Sequence, residues 1–301
     1  MSSVYGKISL SILLPLLLVS STISHAQSTQ ALPQPIPLWP SEVPLAQGAV
    51  PSDKPQITPY IPLHPTTTTG IVVIPGGGYA SISMPTEGVQ VAQFLNAAGI
   101  PAFVLQYRVG PGCHYPVQFE DGKRAIRFVR SRAAEYHLDK IGVMGFSAGG
   151  HLASELGVSF DAGTPEDADP VERMSSRPDF MVLGYPVIAP TGSSATGTFQ
   201  NLLGQNLDPK MVELLSTDLH VTPQTPPTFL VCADDDKSVS SENAVRFYLA
   251  LHRAGVPAEL HIYEHGRHAF SMAVNNPFVG DWTVHLFDWL RMNGFVENSP
   301  H

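Results

Sequence analysis

The residues of this chain most able to do chemistry begin with GFSAGGH at 145–151, where a serine stands between glycines at the end of the apolar run Ile141-Gly142-Val143-Met144. That is the G-x-S-x-G pattern of a nucleophile elbow, a sharp strand-to-helix turn that lifts a serine oxygen above a sheet. Gly145 and Gly149 suit so tight a turn because side chains there would strike the neighbouring strand and helix. Ser147 is therefore the candidate nucleophile. The backbone N–H of Ala148, at the start of the following helix, is a candidate donor to an oxyanion.

The other parts of an acyl-transfer site follow in a consistent order. Upstream, an apolar strand at 71–74 runs into Pro75-Gly76-Gly77-Gly78-Tyr79, and the bare backbone of Gly77 or Gly78 could donate N–H groups to a developing oxyanion. A phosphate cradle is the competing reading, but no Lys-Ser/Thr follows the glycines. Downstream, the apolar strand at 228–232 empties into Asp234, Asp235 and Asp236. A carboxylate just past a strand end is well placed to orient an imidazole. The alternating strand at 259–263 then leads to His265-Gly266-Arg267-His268. His268, behind a glycine, is favoured over His265 as general base and then general acid. Zinc on His261, His265 and His268 must be weighed, yet in an extended segment those spacings put His261 and His268 on opposite faces. No metal and no cofactor is expected.

The order Ser147, aspartate, His268 matches the Ser…Asp…His order of α/β-hydrolases. With PGGGY at 75–79, RAIRFVRSRAAEY at 124–136, IGVMGFSAGGHLAS at 141–154, PPTFLVCADDD at 226–236 and GVPAELHIYEHGRHAF at 255–270, the chain resembles the α/β-hydrolase superfamily. Within it, residues 36–295 resemble secreted bacterial carbohydrate esterases of the acetyl xylan esterase type. The resemblance implies the α/β-hydrolase fold and a serine carboxylic ester hydrolase working through an acyl-enzyme. It implies an ester of acetylated plant polysaccharide or oligosaccharide as substrate. It also favours Asp236, three residues before Val239, as the triad carboxylate, with Asp235 second. A general short-chain carboxylesterase, a serine peptidase or thioesterase, and a non-catalytic binding protein are the alternatives. Lipase-like relatives have His where Pro75 stands, so the hydrogen bonds that shape the oxyanion loop must come from elsewhere.

The elements that must position these residues alternate from residue 70 onward. Helices are expected at 86–98 and 119–136, strands at 102–105 and 180–183, and a closing helix at 282–292. Such alternation argues for a mostly parallel central sheet with helices on both faces. Arg108, His114 and Tyr115 lie in a loop past a strand C-terminus, the edge where open α/β sheets bind ligands. Together with Tyr79 they are candidate substrate contacts. His151 is expected to pack or cap rather than react. Trp282 and Trp289, seven apart, should share a buried helix face. The long connection at 186–227, with a helix at 209–215, is a candidate small cap beside the pocket.

With 301 residues and 43% hydrophobic content, one catalytic domain over 70–301 is expected, preceded by an extended proline-rich arm at 27–69. Net charge is −9 with only 17 basic residues, which argues against nucleic acid as a partner because the overall field repels phosphates. Lys7 precedes an apolar run at 8–19 and the small residues Ser24-His25-Ala26. Residues 1–26 are thus read as an export signal cleaved near Ala26, leaving no stable membrane span in the mature protein. In an oxidising compartment Cys113 and Cys232 could pair, but two partly buried thiols are the default expectation.

Overall fold

A computed structural model describes residues 1–2, 33–46, 54–273 and 276–297. The chain divides into two units, Met1–Leu32 and Pro33–His301, and every element named here belongs to the second. The export signal and its cleavage point lie outside the described residues.

Among the described residues, eight strands form one sheet in the order β1-β2-β4-β3-β5-β6-β7-β8. The six central and trailing strands are parallel: β3 (Thr69–Ile74), β4 (Ala102–Gln106), β5 (Lys140–Phe146), β6 (Met181–Gly184), β7 (Thr228–Ala233) and β8 (Ala258–Tyr263). Strands β3, β6 and β7 are buried along their whole length, as strands covered on both faces must be, and they read as continuous apolar runs for that reason. Within the proline-rich stretch, β1 (Ile36–Pro37) and β2 (Gln56–Tyr60) add two antiparallel strands at one edge. An edge is where a strand containing Pro59 is tolerated, since its missing N–H need not serve a ladder on both sides.

Helices cover both faces. On one side α1 (Gln90–Ala97) meets α8 (Trp282–Met292) through Phe94 and Phe287, 5.6 Å between ring centroids. On the other, α2 (Val117–Ser131), the short α3 (Ala133–Tyr136), α4 (Ala148–Val158) and α7 (Glu242–Arg253) pack on the sheet. Trp282 and Trp289 are both buried, the latter against Phe180 and Phe229. The helix expected at 86–98 begins as a π-helical turn, Met84–Val89, with Pro85 in its first turn. The helix expected at 119–136 starts two residues earlier and breaks at Arg132 into α2 and α3. In the 186–227 connection, α5 (Ser193–Leu203) and α6 (Pro209–Leu215) are followed by a 3₁₀ turn, Thr217–His220. Asp208 caps α6 by accepting the Lys210 N–H at 2.9 Å, an ordinary aspartate N-cap ahead of a first-turn proline.

Candidate active site

Strand β5 ends at Phe146 and α4 begins at Ala148, so the whole reversal falls on Ser147, which takes φ 53° and ψ −119°. A non-glycine residue there is strained by roughly 1–3 kcal/mol and persists only when its surroundings dictate it. They do: the Ser147 N–H donates to Gly184 C=O at 3.0 Å and its carbonyl accepts from Val187 N–H at 3.1 Å. The flanking glycines are required by close approach. A Cβ on Gly149 would lie 2.1 Å from the Ile74 oxygen, and one on Gly145 would lie 2.2 Å from the Gly149 oxygen.

From this elbow a hydrogen-bonded chain runs across three strand ends. Ser147 Oγ lies 2.9 Å from His268 Nε2, and His268 Nδ1 lies 2.6 Å from Asp236 Oδ2. A carboxylate only accepts, so Nδ1 carries the proton and Nε2 is left to accept from the serine hydroxyl. The other Asp236 oxygen takes the N–H groups of Ser238 and Val239 at 2.8 and 2.9 Å, and its side chain is wholly buried. The neighbouring acids are occupied elsewhere. Asp235 caps Gly266 and Arg267 N–H, and Asp234 accepts from the Ser241 hydroxyl. His265 is exposed near Asp235 and Glu264, while His261 pairs with Glu259 and stacks on His285. The three imidazoles considered for zinc thus serve three separate sets of partners.

Ser147, His268, Gly77 and Gly78 line a common pocket of about 410 Å³. The carbonyls of Gly76 and Gly77 are drawn away from it, accepting from Ser83 and from Ala80 and Ser81, and the Gly78 carbonyl accepts from the Asn201 side chain at 2.8 Å. Gly77 and Gly78 line the pocket, while the Gly76 N–H is held by Glu87. Ala148, buried at the first position of α4, has an N–H with no intrahelical acceptor.

The support that Pro75 cannot give comes from Glu87, which the sequence reading passed over. Its buried carboxylate accepts the Gly76 N–H at 2.8 Å and the Tyr185 hydroxyl at 2.8 Å. Burial pushes its pKa up, against the pull of those two donors and of His268. Tyr185 in turn stands edge-on to His268, 5.0 Å between centroids, and accepts the Ser271 N–H at 3.0 Å. One acid therefore joins the glycine loop to the loop that carries His268. A signal existed: positions 87, 91 and 95 fall on one helix face, and Val91 and Leu95 are core residues.

None of the four candidate substrate contacts lines the serine pocket, though Tyr79 and His114 line a neighbouring one. Arg108 is buried, with its guanidinium forked onto Asp121 at 2.7 and 3.0 Å and donating to Pro44 C=O at 2.8 Å, so it cannot reach a substrate. The Tyr79 hydroxyl donates to His151 Nδ1 at 2.8 Å beneath the elbow helix. His151 Nε2–H donates to Leu215 C=O, and burial lowers its pKa to about 4; it is a neutral packing residue. Tyr115 stacks on Phe119 and does not line the serine pocket. His114 is exposed beside a neighbouring pocket. Helix α5 supplies a wall instead, through Gly197, Thr198 and Asn201. Cys113 and Cys232 are buried and not bridged to each other.

The sheet order and the strand–serine–helix turn together define an α/β hydrolase. The chain belongs to the BD-FAE family, whose model matches residues 60–251. It is 33% identical over 245 residues to an acetylxylan esterase of Xylanibacter ruminicola, covering 79% of this chain and 48% of that protein. It is 34% identical over 221 residues to endo-1,4-beta-xylanase B of Butyrivibrio fibrisolvens, covering 71% of this chain and 34% of that one. The chain thus spans between a third and a half of the length of these curated relatives. A solved structure of an acetyl ester-xyloside bifunctional hydrolase from Caldicellulosiruptor lactoaceticus superposes with a TM-score of 0.84 at 44% identity, covering 88% of this chain and 97% of that one.

Proposed function

We propose that the protein is a serine carboxylic ester hydrolase that removes acetyl groups from acetylated plant polysaccharide or oligosaccharide. The observation that carries the mechanism is the unbroken chain Ser147–His268–Asp236, ending in a serine oxygen on a pocket. His268 Nε2 takes the Ser147 proton as Oγ attacks the ester carbonyl, and Asp236 holds the resulting imidazolium. The N–H groups of Ala148 and of Gly77 or Gly78 take the oxyanion, at about 3 kcal/mol per donor. The alcohol leaves with the proton from His268, and water repeats the sequence on the acyl-enzyme.

The carbohydrate side rests on relatives named for acetylxylan and for acetyl ester-xyloside chemistry. Glycosidic cleavage by this pocket is disfavoured because that reaction needs two carboxylates flanking the bond. The pocket lining holds one, Glu87, with both oxygens engaged. Export belongs to the same reading, supported by Lys7, the apolar 8–19 run and Ser24-His25-Ala26; N-terminal sequencing of secreted protein should begin near Gln27.

Acetate release from acetylated xylan by wild type and by Ser147→Ala tests the whole reading. Serine-dependent release is expected, with turnover in the variant down by about 10⁴-fold or more and its fold intact. Retention of most activity by the variant overturns Ser147 as nucleophile. Wild type that cleaves a 4-nitrophenyl acetate but releases no acetate from xylan leaves a general short-chain carboxylesterase and removes the polysaccharide.

A further inference from the structure

Beyond the glycine loop lies a second pocket, of about 370 Å³. Gly77 and Gly78 line the serine pocket, and the next two residues, Tyr79 and Ala80, line this one. Asn201 lines both, and its amide holds the Gly78 carbonyl between them. The far wall is the 110–114 loop, tied to the same helix by Tyr115 N–H to Leu202 C=O at 2.9 Å and His114 Nδ1–H to Asn201 C=O at 3.1 Å. The two pockets are consecutive along α5, whose positions 197, 201 and 204 share a face.

The chemistry of the second pocket is neutral although the chain carries a net charge of −9. Among the described residues no Asp, Glu, Lys or Arg lines it; its polar side chains include the amides of Gln200, Asn201 and Gln205 and the His114 imidazole. The Gln200 and Gln205 amides have no hydrogen-bond partner among the described residues. An amide both donates and accepts, which is what a hydroxyl requires, whereas an ionic ligand would find no countercharge.

Gly197 points the same way. It sits in the middle of α5, where glycine is about 0.5–1 kcal/mol worse than alanine, yet a Cβ there would meet nothing within 4 Å. Packing among the described residues does not account for it, and its φ is not one that requires glycine. It lines the serine pocket, so what its missing side chain preserves is open space on the α5 wall of that pocket.

We infer that the second pocket is a subsite for a neutral, hydroxyl-bearing sugar ring adjoining the acetylated one, held by the amides of Gln200 and Gln205. Helix α5 then distinguishes chain substrates from small esters. This rests on the reading of the serine pocket as an esterase site for acetylated carbohydrate.

The test uses the full chain, as wild type and as the Gln200→Ala/Gln205→Ala double variant, and three probes: 4-nitrophenyl acetate, monoacetylated xylotetraose, and unacetylated xylotetraose titrated by calorimetry. Loss of two hydrogen-bonding groups should weaken xylotetraose binding and lower kcat/KM on the acetylated tetrasaccharide by about tenfold each, with 4-nitrophenyl acetate changed by less than about twofold. Equal losses on both esters, unchanged xylotetraose affinity, or no xylotetraose binding by wild type would overturn the subsite. Wild type inert toward both esters removes the esterase reading separately, and xylotetraose affinity lost in the double variant would still uphold the subsite.

Discussion

Two polar clusters of this molecule satisfy their charges in different ways. Along α2, Arg124, Arg127 and Arg130 grip the 159–179 segment that leads from α4 to β6. Arg124 reaches Asp169 and Glu172 at 2.7 and 2.8 Å, Arg127 reaches Glu172 at 2.7 Å and also Asp161, and Arg130 reaches Asp179 at 3.3 Å. Further guanidinium N–H groups of the three end on the carbonyls of Leu38, Met174, Ser175 and Arg177. This network closes on itself. The cluster at the strand ends does not, because the chain from Asp236 through His268 stops at a serine oxygen facing a pocket.

Backbone strain follows the same division. Tyr79, Ser147, Tyr185, Ala269 and Ser271 all take positive φ around the serine pocket, whereas among the described residues of the 159–179 segment only Gly163 does. Each strained residue costs on the order of 1–3 kcal/mol and needs neighbours that leave it no alternative. Glu87 and Tyr185 are such neighbours. Ion pairs in the arginine cluster fix where a loop lies; buried hydrogen bonds at the strand ends fix where single atoms lie.

The substitution with the largest expected effect on that contrast is Glu87→Gln. Both partners of Glu87 donate to it, so an amide can serve one and must turn its own N–H₂ toward the other. If the acid positions the oxyanion loop, kcat should fall by about 10–100-fold with KM nearly unchanged, the signature of an interaction made chiefly in the transition state. Wild-type kcat with only a lower Tm would place Glu87 with the arginines, as architecture.

Arg127→Ala probes the other cluster. Arg127 is 7% exposed, but Glu172 and Asp161 are reached by solvent, so the loss is discounted to roughly 1–3 kcal/mol. Thermal unfolding should show it, and kcat/KM on 4-nitrophenyl acetate at a temperature where the variant is folded should match wild type. A drop in kcat would mean that the 159–179 segment is coupled to the site and that the two clusters are not independent.

How much of this was legible in the sequence depended on distance along the chain. The elbow is local, and strand, serine and helix follow within a dozen residues. The helices at Pro209–Leu215 and Trp282–Met292 were readable to the residue because cap, proline or aromatic spacing marks their ends. Three acids at the end of β7 could not be separated by local pattern, since what separates them is how the turn closes and which oxygen meets an imidazole 32 residues on. Arg108 misled because its partner Asp121 sits on α2, 13 residues later, and nothing in a loop sequence announces that its arginine folds inward. The strands at Ile36–Pro37 and Gln56–Tyr60 were hidden by prolines that an edge accommodates. The mid-helix Gly197 is visible as an oddity in any helix, but only the empty space beside it gives it a meaning.

Glu155 sharpens the comparison further, because it belongs to neither cluster. It lies buried on the elbow helix α4, where Lys123 lowers its pKa and the like charge of Glu120 raises it. Burial raises its pKa to about 8 from 4.5. The folded protein therefore holds this proton more tightly than the unfolded chain does. Its contribution to stability is complete below pH 4.5 and is lost as pH rises toward 8, the unfolded state being then the one that ionises freely. Glu155→Gln keeps the site neutral throughout, so the Tm of the variant should gain on wild type by a few degrees between pH 5 and pH 8. A difference that stays flat over that range would mean that Lys123 neutralises the carboxylate as fully as the α2 arginines neutralise theirs, and that Glu155 is a third, closed ion pair rather than a buried acid.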